Sequence, residues 1–470
     1  MCARAWRVIS VLSFWILPIL SASPAAGQDS HYWSEQYGTR AALLGGAMIG
    51  SVRDLSSTYY NPGATALNQE ARFLLSARAY RNASITLEDA AGEGFDLTSS
   101  SQRPLPTFLA TPIEFDWLGK HRIVYSALTR QQFEADLSTY RIEALDLLPA
   151  PGDENTASAY TGNAELRETW TGLTWAYPVT ERIGIGVTPY LVIRSQTLKS
   201  QTLIQLASQA GEVAIGTRLR NRSYRNYRGL AKIGVTGEFG RWSVGLTTTT
   251  PSLGISGSGR ASFNGSRAGL EDEEDFLAAD VQTDLDAIFE SGWALGGGFG
   301  LQLGDTRIHG SAEWYEAMDR FTVIDAEPFV PQTGGDPLEN DITAEFSSVV
   351  NWGLGVETGL GSSMLFAGVS SNRGAGNPDA PASTTGVLTA YDLWNYSLGT
   401  SFRVGRSEFM LGVGYARGSQ PFPQLLDTGI IGGLIDLDTD DVDFIYTQWT
   451  IVLGYELAIG GGADEEARGG

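Results

Sequence analysis

The chain has 470 residues, and 32 Lys and Arg against 54 Asp and Glu give it a net charge of −22 at pH 7. This charge argues against a nucleic-acid partner, because phosphate backbones are bound by clustered Lys and Arg. The only cysteine is Cys2, which excludes a disulfide framework and a zinc site built on cysteine pairs. The three histidines are too few for a His-rich metal centre, so we expect neither a metal site nor a cofactor.

Residues 1–27 have the pattern of a secretory signal peptide. Arg4 and Arg7 precede an apolar run at 8–20, and small residues follow as far as Gly27. A short membrane anchor is the alternative, but the run is short for a span of about 20 residues. No later apolar run approaches that length. The remaining chain is therefore either soluble or crosses a membrane as a β-barrel.

Residues 28–68 lack the regular alternation of the chain that follows them. They are rich in small residues and contain the turn sequence Asn61-Pro62-Gly63. Two arrangements are open for this segment: a plug inside the structure that the rest of the chain forms, or a loose periplasmic arm.

Period-two alternation dominates residues 69–460. The clearest segments lie at 183–193, 293–304, 393–405 and 449–459. Such alternation indicates a β-strand with one apolar face and one polar or small face, and the aromatic residues near the segment ends are typical of outer-membrane barrels. A soluble β-sandwich is the alternative, but its strands average about five or six residues, which is shorter than these segments.

Short turns and long polar connections alternate along the same region. Six short turns lie near residues 118, 179, 240, 304, 361 and 405. Seven long connections lie near 83–101, 145–159, 206–216, 262–289, 327–342, 374–390 and 421–443. This pattern predicts an all-β fold, a transmembrane antiparallel β-barrel of about 14 strands with both termini on the periplasmic side. Barrels of about twelve or about sixteen strands are the alternatives.

The size of the predicted barrel determines the predicted domains. A lumen of about 14 strands is wide enough to admit a plug, because about eight strands already fill their interior with side chains. We therefore predict residues 28–68 as an N-terminal hatch inside the lumen, 69–460 as the barrel and 461–470 as a disordered tail. The long connections carry much of the acidic charge, which we interpret as a solvated surface; divalent-cation binding among lipopolysaccharide head groups is the alternative.

The stretch GGAMIGSVRDLSSTYYNPGATAL resembles the N-terminal signature of the FadL-type outer-membrane family, which includes long-chain fatty-acid transporters and aromatic-hydrocarbon uptake proteins. Later segments, such as PLPTFLATPIEF and WSVGLTTTTPSLGISGSG, are also similar to that family. One departure is Gly63-Ala64, where the family more often has Ala-Gly. The residues that carry the hatch motif are Gly45, Gly46, Asp54, Ser56, Asn61, Pro62 and Gly63.

The resemblance implies passive uptake of hydrophobic compounds across the outer membrane of a Gram-negative bacterium. It implies capture in an apolar groove of the outer loops, passage to a lumen pocket, and a hatch-gated lateral exit. We expect long-chain fatty acids as substrates, a monomer, and membrane lipid and lipopolysaccharide as surroundings. Aromatic hydrocarbon uptake, a general porin and a surface structural barrel are the alternatives. We do not expect an enzyme, because no histidine has a convincing nucleophile as its neighbour.

Two sets of residues are candidates for substrate contact. Arg194 and Arg228 fall opposite the apolar phase of neighbouring strands, where a guanidinium can bind a fatty-acid carboxylate; contact with lipopolysaccharide phosphates or with the acidic loops is the alternative. The apolar groove candidates lie in two long connections, the first with helix-like spacing, and packing within the loops is the alternative there. These candidates are Phe276, Leu277, Ile288, Phe289, Phe422 and Leu425.

Overall fold

The structure, a computed structural model, describes most of the chain after residue 32. The described residues are 33, 35–52, 54–67, 72–88, 96–145, 152–209, 211–269, 274–375, 392–405, 407–422 and 442–458. The predicted signal peptide, the predicted tail and Leu425 lie outside these ranges. Among the described residues, no helix is long and apolar enough to cross a bilayer.

Fourteen strands form a closed antiparallel barrel, which confirms the predicted fold class and strand count. Each strand pairs with its neighbours in sequence order, and pairing of β1 with β18 and of β5 with β6 completes the ring. The barrel strands are β1 (Arg72–Leu87), β2 (Leu97–Ile113), β3 (Arg122–Leu145), β4 (Glu154–Pro178), β5 (Ile183–Ala207), β6 (Val213–Phe239), β7 (Trp242–Thr249), β10 (Ala294–Leu303), β11 (Thr306–Tyr315), β14 (Val349–Leu360), β15 (Ser363–Asn372), β16 (Leu393–Val404), β17 (Ser407–Phe422) and β18 (Val442–Ala458).

Four further strands lie in the long connections. β8 (Leu253–Ala268) pairs with the upper part of β6, β9 (Phe276–Asp286) pairs with β8, and β12 (Met318–Ile324) pairs with β13 (Ile342–Phe346). The connections predicted at 206–216 and 262–289 are therefore wrong in part. β5 and β6 continue for 25 and 27 residues and meet at a tight turn. In the second range, β8 pairs with β6 and β9 pairs with β8.

The barrel wall is apolar outside and polar or small inside. On β6, the side chains of Ile233 and Val235 are exposed by 43% and 45%. The preceding residue, Lys232, points to the other face of the strand and is exposed by 2%. Exposed tryptophans lie at several strand ends, among them Trp242 and Trp394. An outward apolar band with aromatic margins is suited to lipid, so the alternation along the strands has the predicted direction.

Most of the described residues between Trp33 and Leu67 are buried and pack against the inner side of the barrel wall, and we call them the plug. Two short helices, α1 (Thr39–Leu43) and α2 (Ser57–Tyr60), are followed by a 3₁₀ helix at Pro62–Ala66. Helix α1 contacts β15 to β18, and the 3₁₀ helix contacts β4 to β6 on a different part of the wall. The plug and the inner wall share one buried apolar cluster.

Candidate binding site in the barrel lumen

Glycines allow the plug to touch the wall backbone directly. A Cβ at Gly63 would lie 2.7 Å from the carbonyl oxygens of Gly184 and Gly234. A Cβ at Gly45 would lie 2.8 Å from the carbonyl oxygen of Val369, and Gly45 also has φ of 62°, a conformation that favours glycine. Gly46 has φ of 73°, and a Cβ at this position would clash with the side chain of Gln36. The motif glycines thus have a packing role.

The polar motif residues fix the path of the plug. The Asn61 side chain donates to the carbonyl oxygens of Ile49 at 2.9 Å and Val235 at 3.0 Å, and its Oδ1 accepts from the Gly63 amide at 3.1 Å. Pro62 then begins the 3₁₀ helix. Asp54 accepts hydrogen bonds from the amide and the hydroxyl of Ser56, just before α2. Asn61 is therefore the motif residue that bonds the plug to β6.

Gly63→Val is expected to loosen the plug, because its Cβ cannot fit between two backbone carbonyls. Overpacking of this kind costs about 1–3 kcal/mol, so the variant should melt at a lower temperature and be cleaved faster by trypsin at Arg40 of α1. Gly254→Val is the matched control, because a Cβ there meets nothing within 4 Å. Equal melting and cleavage in the two variants would contradict the close fit.

The structure brings the two predicted arginines together around one carboxylate. Arg194 Nη1 lies 3.1 Å and Arg228 Nη2 lies 2.7 Å from the same oxygen, Oε2 of Glu168 on β4. The Trp170 indole donates to Oε1 of Glu168 at 2.7 Å. Arg194 and Arg228 are exposed by 0% and 1%. The alternative prediction, that these two residues contact lipopolysaccharide phosphates, is therefore wrong.

An aromatic ring covers this charged cluster. The Phe289 ring centroid lies 3.8 Å from Cζ of Arg194 and 4.8 Å from Cζ of Arg228, a cation–π arrangement. Phe289 is 1% exposed and packs against Phe321 and Phe346 of the β12–β13 hairpin. Phe289 therefore separates the charged cluster from the outer connections.

The other groove candidates do not join Phe289 in one site. Phe276 and Leu277 lie on β9, so the helix-like interpretation of that connection is wrong: backbone pairing with β8 makes the segment extended. Leu277 and Ile288 are each 51% exposed. Phe422 ends β17, and nothing of its side chain is described.

Arg228 has N–H groups that Glu168 does not occupy. Arg228 Nε and Nη1 are buried and have no hydrogen-bond partner within the described part of the chain. Arg130, 3% exposed, lies over the rings of Tyr59 and Trp170 at 5.7 and 5.6 Å. The nearby Lys232 is balanced by Glu313 at 3.0 Å. An enclosed site with spare guanidinium hydrogens and aromatic walls can accept an anionic group joined to an apolar body.

The backbone pairing of the wall is interrupted between β2 and β3, and we call this interruption the wall opening. Their ladder extends only from the pair Ile113–Ile123 to the pair Phe108–Leu128. Beyond that level, β2 pairs with β1 and β3 pairs with β4, and β3 has a bulge between Thr129 and Gln131. Along these described strands, the upper halves of β2 and β3 are not joined by a ladder.

Fold and lumen together define a transmembrane β-barrel with an internal plug and a charged, aromatic-lined interior. Sequence comparison gives no match to a family model or to a curated protein. Solved structures do match. The chain is similar to a Pseudomonas aeruginosa FadL homologue, with a TM-score of 0.61 and 12% identity over 92% of this chain and 100% of that one.

Two toluene transporters are similar to the same extent. The Pseudomonas putida transporter TodX matches with a TM-score of 0.58 and 12% identity, covering 91% of this chain and 99% of that one. The Ralstonia pickettii transporter TbuX matches with a TM-score of 0.56 and 12% identity, with the same two coverages. The chain therefore has the fold of these proteins, and the resemblance to the FadL type inferred from the plug motif is confirmed in the fold.

Sequence reasoning missed two carboxylates in this part of the lumen. Glu168 and Glu313 are each exposed by 3% and pair with Arg194, Arg228 and Lys232. A signal was present, because Glu168 falls in the inward phase of β4 between Leu166 and Trp170. A charged residue on the buried face of a barrel strand indicates a partner of opposite charge, because burial of an unpaired charge is costly.

Proposed function

We propose that the protein carries out passive uptake of hydrophobic compounds across the outer membrane of a Gram-negative bacterium. The observation that carries this proposal is the buried cluster of Arg194, Arg228 and Glu168, enclosed by aromatic rings within a plugged barrel. A general porin needs an open aqueous lumen, whereas the plug contacts β4 to β6 and β15 to β18 of the wall. The proposed barrel acts as a monomer, with lipopolysaccharide around its outer end.

Long-chain fatty acids fit this interior best. Their carboxylate matches the spare N–H groups of Arg228, and charge-assisted hydrogen bonds of this kind are the strong ones. The acyl chain finds apolar side chains above the plug, in a buried cluster that includes Ile85, Leu97, Leu137 and Phe444. Each buried CH₂ contributes about 0.8 kcal/mol, so a lined path favours a long chain over open water.

Aromatic hydrocarbon uptake is the second candidate function. The Phe289 ring shows that a neutral ring fits against the two guanidinium groups. Two of the similar structures are named as toluene transporters. A neutral ring needs no carboxylate partner, so charge on the ligand separates the two candidates.

The proposed route ends at the membrane rather than in the periplasm. A substrate that has reached the lumen leaves through the opening between β2 and β3 when the plug moves. Ile85 and Leu97, on the strands beside this opening, belong to the same apolar cluster. An apolar substrate that passes directly into lipid avoids the cost of full hydration.

Paired ligands test the proposal. Binding of oleate and of methyl oleate to the refolded protein is measured by fluorescence competition, since the two ligands share a chain and differ in charge. We expect oleate to bind more tightly by about tenfold, the value of one hydrogen bond to a charged group. Equal binding would favour a neutral substrate, and no saturable binding of either ligand or of toluene would contradict hydrophobic uptake.

A further inference from the structure

Side-chain hydrogen bonds cross the wall opening between β2 and β3 in place of the missing ladder. The Asp136 amide of β3 donates to Ser99 Oγ of β2 at 2.9 Å. Arg81 of β1 reaches past β2, and its Nη1 donates to the carbonyl oxygen of Gln132 on β3 at 3.4 Å. A guanidinium therefore spans the opening from the far side of β2.

The same guanidinium is bonded to the plug. Arg81 Nη1 lies 2.8 Å from Oε1 of Glu35, and Arg81 Nη2 donates to the Tyr446 hydroxyl of β18 at 3.0 Å. The side chains of Arg81 and Glu35 are exposed by 14% and 5%. Removing one partner of an ion pair this buried costs more than removing one partner of a surface pair, because water does not replace the lost attraction.

We propose that Arg81 is the positioning residue that holds the wall opening closed, and that the plug controls it through Glu35. This inference rests on the proposed lateral exit. A cavity lies beside the opening, lined in part by Arg81, Ile85, Ser101 and Phe133. When the plug carries Glu35 away, the guanidinium loses its ion pair with Glu35 and turns toward water. Its hydrogen bond to β3 is lost at the same time, and the mixed polar and apolar cavity opens.

A cysteine in the cavity reports the state of the opening without any substrate. In a Cys2→Ser background the chain has no cysteine, so Ser101→Cys supplies a single thiol for a water-soluble maleimide. Arg81→Gln and Glu35→Gln should each raise the labelling rate by about tenfold, as expected from the loss of one charged hydrogen bond. The double variant should label no faster than either single variant, because both changes break one interaction.

Arg403→Gln is the matched control, because it removes an exposed guanidinium that pairs with Glu408 at the other end of the barrel. Its labelling rate should equal that of the unchanged protein. Unchanged labelling in Arg81→Gln, or independent effects that multiply in the double variant, would overturn the inference.

A transport measurement separates this inference from the proposed function. Arg81→Gln should speed oleate transfer into vesicles by a similar factor while the dissociation constant for oleate changes less than about twofold. If the unchanged protein transfers no oleate but the labelling responds as expected, the proposed function is wrong and the role of Arg81 stands. If oleate is transferred and Arg81→Gln alters neither transfer nor labelling, the role of Arg81 is wrong and the proposed function stands.

Discussion

Glu168→Ala is expected to lower the free energy of unfolding by about 3–5 kcal/mol, because it leaves two buried guanidinium groups without their shared carboxylate. Arg194 and Arg228 lie 3.1 and 2.7 Å from that carboxylate and are almost fully buried. Neither can turn to bulk water while the plug and Phe289 enclose the lumen. The change is measured by guanidinium chloride unfolding of the protein in detergent micelles.

Glu165→Ala provides the control for this measurement. Glu165 lies three residues before Glu168 on β4 and is exposed, so its loss should change stability by less than about 0.5 kcal/mol. Adding Arg194→Met to Glu168→Ala should restore part of the lost stability, because one uncompensated charge is then removed. A Glu168→Ala protein as stable as the control would show that the guanidinium groups find other partners or water.

Arg228→Gln is expected to weaken oleate binding by about 10–100-fold, which corresponds to about 1.5–3 kcal/mol for hydrogen bonds to a charged group. Arg228 is the predicted arginine whose Nε and Nη1 are buried and have no hydrogen-bond partner among the described residues. Methyl oleate should bind the variant as it binds the unchanged protein. Arg194 still accompanies Glu168 in the variant, so the carboxylate keeps a counter-charge.

Arg225→Gln is the matched control for the loss of oleate binding. Arg225 lies on the same strand in the outward phase and is exposed, so the variant removes the same charge without touching the lumen. Equal oleate affinity in the two variants would show that Arg228 does not bind the carboxylate. Parallel losses for oleate and methyl oleate in Arg228→Gln would indicate a change of shape rather than a lost charge.

The barrel could be predicted because its signals are local. Alternation identifies each strand, and turn residues such as Gly240 and Gly304, both at positive φ, mark the ends. The contact between Glu168 and Arg194 could also be predicted from the sequence. β4 and β5 pair symmetrically about the turn near Glu181, which places Glu168 opposite Arg194. Register follows directly from a short turn.

The rest of the site depends on contacts that no local pattern records. Arg228 meets Glu168 across an intervening strand, and Phe289 reaches the cluster from a connection whose spacing is similar to that of a helix. The β2–β3 ladder ends beside a bulge after Thr129 of β3, and a bulge leaves the alternation on either side nearly intact. These features can be identified only from the three-dimensional structure of the closed barrel.

Transfer of oleate into vesicles that contain the full refolded barrel tests hydrophobic uptake most directly. A lipopolysaccharide outer leaflet slows spontaneous entry, so the contribution of the protein can be resolved. We predict saturable transfer that is faster than in protein-free vesicles, slower in Arg228→Gln and unchanged in Arg225→Gln. Transfer equal to that of protein-free vesicles, together with conductance for ions or sugars, would contradict the account and indicate a general pore.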